Sequence, residues 1–238
     1  MFRRGGNTNM IFIIILILFA ISNASFDLKA TLLTLPGLIL ALTLHEYAHA
    51  KVSDRLGDPT PSAQGRLTLN PMAHMDPVGT VFLIFAGFGW GKPVEIDGRY
   101  YRNPARDTML VALAGPVSNF IQAIVWFFVY GAIVFFAPIE TSFPIQIVSL
   151  VVYYAAIINL SLGVFNLLPL PPLDGSKILR YFLHGNAREF LYTLETYSTL
   201  ILMVLFMTNL TGKIISPIIG WIETGILWLA NLVFSLFL

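Results

Sequence analysis

Two stretches of this chain, Thr108 to Ala137 and Ser142 to Leu168, run without a single charged side chain. Each exceeds the roughly 20 residues that a helix needs to cross a hydrocarbon layer about 30 Å thick. In that solvent every backbone N–H and C=O must find its partner inside the protein, and uninterrupted apolar runs of this length meet the condition as helices. With 56% of 238 residues hydrophobic and only 11% charged, the chain holds more apolar surface than a soluble domain of its size can bury. The fold expected is an all-α polytopic membrane protein with about five to six transmembrane helices.

The remaining spans follow from the same pattern. Residues 1–9 hold Arg3 and Arg4, and an apolar run from Met10 ends near the small residues Ser22-Asn23-Ala24. Both a cleaved signal peptide and a retained helix fit that segment. A retained anchor over about 10–24 is favoured, because a second span follows almost at once, from about Leu28 to Ala50. Asp58-Pro59, Pro61 and Asn70-Pro71 punctuate the polar connection from Lys51 to Asp76. Pro77 to Trp90 is apolar but short and contains Gly79, Gly87 and Gly89, so a re-entrant or short β-hairpin segment is expected around 77–98. A further span is expected from about Phe190 to Leu210, and Ile214 to Leu238 either spans or lies in the interface.

Basic residues orient the bundle. If the N-terminus is cytoplasmic and residues 77–90 dip in and return, twelve of the fourteen Lys and Arg fall on the cytoplasmic side, leaving Lys29 and Lys213 outside. The spans ending near Ala50 and Leu168 then run in the same direction. Their polar ends arrive at a similar depth on the cytoplasmic side.

Those ends carry chemistry. Leu44-His45-Glu46-Tyr47-Ala48-His49 reads H-E-x-x-H. On a helix His45 and His49 stand one turn apart on one face, where both imidazoles reach a single ion, and Glu46 can act as general base on a water there. The alternative is a helix end that collects polar residues as it surfaces. Ionisable groups at membrane depth are costly, which favours the metal reading. There is no cysteine, so a metal must be held by His and carboxylate. A catalytic zinc usually takes three protein ligands, and the best third candidate is Asp174, in Asn166-Leu167-Leu168-Pro169-Leu170-Pro171-Pro172-Leu173-Asp174-Gly175. Read alone, Asp174 is equally a cap for a helix beginning at Ser176.

Taken together, the H-E-x-x-H on one membrane helix and the distant Asn-x-x-Pro-x-Pro-Pro-Leu-Asp-Gly resemble the site-2 protease family of intramembrane zinc metalloproteases. The resemblance extends to Asn70-Pro71…His74-x-Asp76-Pro77, to Gly89-Trp90-Gly91-Lys92-Pro93-Val94 and to Ala114-Gly115-Pro116-x-x-Asn119. It is to the compact subgroup without a PDZ domain, and it covers about residues 36–183. It implies one membrane-embedded metalloprotease domain over 1–238 with a catalytic core of about 28–183. It also implies one zinc ion per chain on His45, His49 and Asp174, with Glu46 as the base. The substrate implied is a transmembrane protein or peptide, cut in or near its membrane segment, in a prokaryotic cell membrane with access from the cytoplasmic side.

Three further residues stand with two or more readings each. Asn119 is an oxyanion donor or an interhelical hydrogen bond. Asn166 binds substrate backbone or satisfies a broken helix end. His74 is an additional ligand, a partner behind the ligands, or a turn residue. A membrane protein that binds zinc or moves ions without proteolysis is the rival function, and Glu46 argues against it, since a pure binding site does not need that carboxylate. No phosphate-binding loop or nucleic-acid surface is present, and the bilayer itself is the other expected partner.

Overall fold

The computed structural model describes residues 27–77, 79–80, 91–137, 142–208 and 210–237. Among these residues there are eight α-helices and no strand. In chain order the helices are α1 (Leu28–Arg55), α2 (Thr60–Ala63), α3 (Pro104–Phe136), α4 (Phe143–Asn166), α5 (Asp174–Phe182), α6 (Asn186–Thr196), α7 (Ser198–Met207) and α8 (Leu210–Ser235). Four are long and apolar enough to cross a membrane: α1, α3, α4 and, from Gly212, α8. The chain is thus an all-α membrane protein. The anchor expected at 10–24 lies outside the described residues. So do residues 78 and 81–90 of the segment expected to re-enter, although an isolated antiparallel bridge pairs Met75 with Gly91 on either side of them.

Helix boundaries follow local chemistry. Asp27 caps α1, its Oδ1 accepting from the N–H groups of Lys29 and Ala30 at 2.9 and 3.2 Å. At the other end the chain leaves α1 through Gly57, whose φ of 103° suits glycine alone. Asn103 caps α3 and is followed by Pro104, in the first-turn position where a missing N–H costs nothing. The α4 helix stops at Asn166, three residues before the first of Pro169, Pro171 and Pro172.

Small residues bring the spans together. A Cβ on Gly37 of α1 would lie 2.5 Å from the Ala155 Cα of α4, so the two backbones approach as only glycine permits. Ala123 and Phe127 of α3, Ala156, Leu160 and Val164 of α4, and Ile215 of α8 form a buried cluster. Along α8, Ile215 packs near the late residues of α4, Glu223 accepts from the Tyr153 hydroxyl at 2.8 Å, and Phe234 meets Phe128, Phe135 and Phe136 near the far end of α3. The α8 helix therefore runs antiparallel to α4 and parallel to α3.

This path corrects one expectation. Residues 190–210 do not make one span; they break at Tyr197 into α6 and the 10-residue α7. At about 1.5 Å per residue, α7 covers roughly 15 Å, half the hydrocarbon thickness. Glu195 explains the break, since it pairs with Arg180 at 2.9 Å and ties α6 to the end of α5 instead of entering the apolar layer. Lys213 consequently lies at the same end of the bundle as the other basic segments, not at the opposite one. In this cysteine-free chain, single cysteines at Lys213 and Arg99 should react with an impermeant maleimide from the same side of a sealed vesicle, and one at Phe237 from the other. Opposite labelling of positions 213 and 99 would refute the path of α8.

Candidate metal centre

The α1 helix presents His45 and His49 to the space between α3 and the start of α5. Their Nε2 atoms are 3.0 Å apart, and Oδ2 of Asp174 lies 3.3 Å from that of His45 and 3.1 Å from that of His49. All three side chains are buried. Asp174 arrives because the proline-rich stretch stops α4 and α5 begins at once. Gly175 makes that junction possible: a Cβ there would run into the carbonyl oxygens of Leu167 and Leu168. The salt bridge from Lys177 to Asp174 Oδ1, at 3.0 Å, leaves Oδ2 facing the imidazoles.

The outer ring nitrogens define what the inner ones can do. His49 Nδ1 is 2.6 Å from the carbonyl oxygen of Val111, which only accepts, so Nδ1 carries the proton. His45 Nδ1 is 2.6 Å from Oδ1 of Asn119. With both Nδ1 atoms donating outward, two Nε2 lone pairs and a carboxylate oxygen converge with no donor among them. Such a cluster is repulsive in a buried setting unless a cation joins it. Ligands about 2.0–2.2 Å from one tetrahedral ion stand roughly 3.3–3.6 Å apart, close to the separations found. Space for an ion is left by Gly115 of α3, whose Cβ would lie 2.6 Å from His45 Nε2 and as close to His49 Nε2. Donor set, spacing and cradle all fit a metal such as zinc.

Glu46, half-buried, turns to another side. Its Oε2 accepts from the Val94 N–H at 3.0 Å, and a Cβ on Gly91 would come within 3.8 Å of its Oε1. Residues 92–97, which form no helix or strand, therefore run past this carboxylate. They are fastened at both ends. Lys92 N–H donates to the His74 carbonyl at 2.8 Å, and the guanidinium of the buried Arg66 donates to the carbonyls of Ala73 and Lys92. At the far end the fully buried Asp58 accepts from Asp97 N–H at 2.8 Å, Thr60 N–H at 2.9 Å and Ser53 Oγ at 2.8 Å.

The other sequence candidates are not among the three converging groups. Asn119 is fully buried behind His45, and its NH2 donates to Ala41 O at 3.3 Å and Asn159 Oδ1 at 3.0 Å. Both of these contacts cross between helices. Asn166 donates to the Leu162 carbonyl of its own helix at 3.1 Å. His74 is fully buried, with Nε2 2.7 Å from the Thr68 carbonyl, and it is not one of the three converging groups. Asn159, Lys177 and Asp58 were not singled out from sequence. A lone Asn in an apolar span, two turns before Asn166, was the available signal for the first.

Apolar spans long enough to cross a membrane, with two histidines of an H-E-x-x-H and an aspartate converging among them, define an integral membrane protein with a metallopeptidase-type centre. Residues 133–209 match the model of Peptidase family M50. A Bacillus subtilis protein named "Putative zinc metalloprotease YwhC" is 39% identical over 207 residues, 83% of this chain and 90% of that protein. A Mycolicibacterium smegmatis protein named "Putative zinc metalloprotease Rip2" is 30% identical over 197 residues, 80% of this chain and 72% of that protein. No solved structure matches. The chain belongs to peptidase family M50, the site-2 protease family of zinc metalloproteases.

Two expectations test this geometry. Gly115→Ala sets a methyl group where an ion would sit, so bound zinc should fall to background while helix content by circular dichroism is retained. Burial by itself pushes the Asp58 carboxyl up, but the donors from Thr60, Asp97 and Ser53 outweigh it and hold the group below the usual carboxylate range. Its contribution is therefore fully present above the unfolded value of about 3.9 and is lost as pH falls through the lower folded value. Asp58→Ala should cost about 1–3 kcal/mol, seen as a lower melting temperature in detergent and faster proteolysis within residues 91–101.

Proposed function

We propose that this protein is an intramembrane zinc endopeptidase that hydrolyses peptide bonds in or near the transmembrane segments of membrane proteins. The observation that carries the reading is the convergence of three buried acceptors, His45 Nε2, His49 Nε2 and Asp174 Oδ2, beside a carboxylate that is not one of them. A metal bound there supplies Lewis acidity, polarising a carbonyl and lowering the pKa of water toward about 7.

The chain's own residues supply the remaining steps. His45, His49 and Asp174 hold the ion. Glu46 takes the proton of the attacking water on a carboxylate oxygen and returns it to the departing amine, so one group acts as base and then as acid. The Val94 N–H fixes the direction of that carboxylate. Asn119 orients His45. Water and substrate enter at the end of the bundle where residues 51–77 and 91–103 lie. The basic residues collected at this end support its assignment to the cytoplasmic side. A substrate helix must unwind locally there, because a hydrogen-bonded helix withholds its carbonyls from attack.

Glu46→Gln separates hydrolysis from simple metal binding. Purified protein and variant should both hold zinc near one ion per chain, and cleavage of single-span test substrates in liposomes should fall at least about 100-fold in the variant. Equal zinc with undiminished cleavage would remove Glu46 from the mechanism, and absence of zinc from both would overturn the metal centre.

A further inference from the structure

Asn159 is a fully buried polar side chain that the proposed chemistry does not use. It lies in the apolar α4 span. Its NH2 donates to the Ala155 carbonyl one turn back at 2.9 Å, and its Oδ1 accepts from the NH2 of Asn119 on α3 at 3.0 Å. The Oδ1 of Asn119 then meets Nδ1 of His45 on α1 at 2.6 Å. Two amides thus link three helices, and the series ends on an imidazole.

Hydrogen-bond polarity runs one way along this series. The Ala155 carbonyl can only accept, so the end of the Asn159 amide that faces it must be the NH2. That leaves the Asn159 oxygen toward Asn119, which must answer with its own NH2. The Ala41 carbonyl, 3.3 Å from the same nitrogen, is a second acceptor that agrees. Asn119 is left with its oxygen toward His45, and an oxygen there requires a proton on Nδ1. A neutral imidazole has one N–H, so Nε2 is bare, and Nε2 is the atom that faces His49 and Asp174. Reversing the Asn119 amide would set an NH2 against Nδ1 and move the proton to Nε2. His49 needs no such relay, because its Nδ1 faces the Val111 carbonyl, which has no reversed form.

We infer that Asn159 is a positioning residue that, through Asn119, selects the tautomer of His45 whose Nε2 is free to bind zinc. The inference rests on the metal-centre reading proposed above. It assigns a role to a residue that reaches the converging groups only through the side chain of Asn119. In apolar surroundings no water competes for these amides, so each orientation is transmitted to the next group.

The test uses the full chain with Asn159→Leu and Asn159→Asp. The leucine removes the acceptor that Asn119 faces. At this depth the aspartic acid is neutral, and it retains a donor for Ala155 and an acceptor for Asn119. Zinc affinity, measured by competition with a chelator, should weaken about 10–100-fold in Asn159→Leu and by less than about threefold in Asn159→Asp. A second readout needs no metal or activity. The chain has four histidines, so a nitrogen-15 spectrum of histidine-labelled, metal-free protein is simple enough to assign by single substitutions. At about pH 8.5, where an ordinary imidazole is neutral, the His45 proton should sit on Nδ1 in the unaltered protein and in Asn159→Asp, and should be divided between Nδ1 and Nε2, as a mixture of the two neutral tautomers, in Asn159→Leu. Unchanged zinc affinity and an unchanged His45 signal in Asn159→Leu overturn the inference while leaving the metal centre intact. A His45 proton found on Nε2 in the unaltered protein overturns it even if the leucine variant fails to fold. Failure of the unaltered protein to bind zinc overturns both readings.

Discussion

Two imidazole lone pairs and a carboxylate oxygen pressed together in an apolar bundle repel one another, and much of this structure serves to hold them there. Each imidazole is braced from behind, His49 by the Val111 carbonyl and His45 by Asn119. Lys177 takes the outer oxygen of Asp174. Gly115 leaves a gap where the three meet, and Gly175 lets α5 begin close enough to deliver the aspartate. Polar groups at membrane depth are expensive when unpaired, so such an arrangement persists only if every outward-facing atom is satisfied and the inward-facing ones share a cation.

A second set of contacts keeps Glu46 out of that cluster. Were it free, a carboxylate next to His45 in sequence could compete for the same ion. The Val94 N–H gives it a different partner. That N–H is in turn held by a frame reaching from Arg66 and His74 at one end of residues 92–97 to Asp58 at the other. Separation of Glu46 from the three converging groups therefore depends on a loop that carries none of them.

The three converging residues of the candidate centre were legible in the sequence because each has a local reason. The i, i+4 spacing of His45 and His49 is fixed by the helix, and the prolines after Leu168 force a break that puts Asp174 at a helix start. Only the parallel course of two spans was needed to bring the pieces together. What the sequence hid was orientation across helices. Nothing in Ala114-Gly115-Pro116-x-x-Asn119 tells which end of the Asn119 amide faces α1, because that depends on Asn159 in another span. The break at Tyr197 was hidden for a different reason. No proline or glycine marks it, and the decisive group, Glu195, acts through Arg180, fifteen positions earlier. Segment 190–210 passes for a span by composition and fails by the length of its uncharged part.

His49 and Asp174 are 125 positions apart, on elements that enter the bilayer at different moments of synthesis. Before α4 is inserted and the chain has turned through its prolines, a newly made protein has two histidines on one helix and no third ligand. The centre therefore cannot close until most of the polypeptide has left the ribosome. A centre assembled in this order lacks its third converging group until the order of the spans is completed.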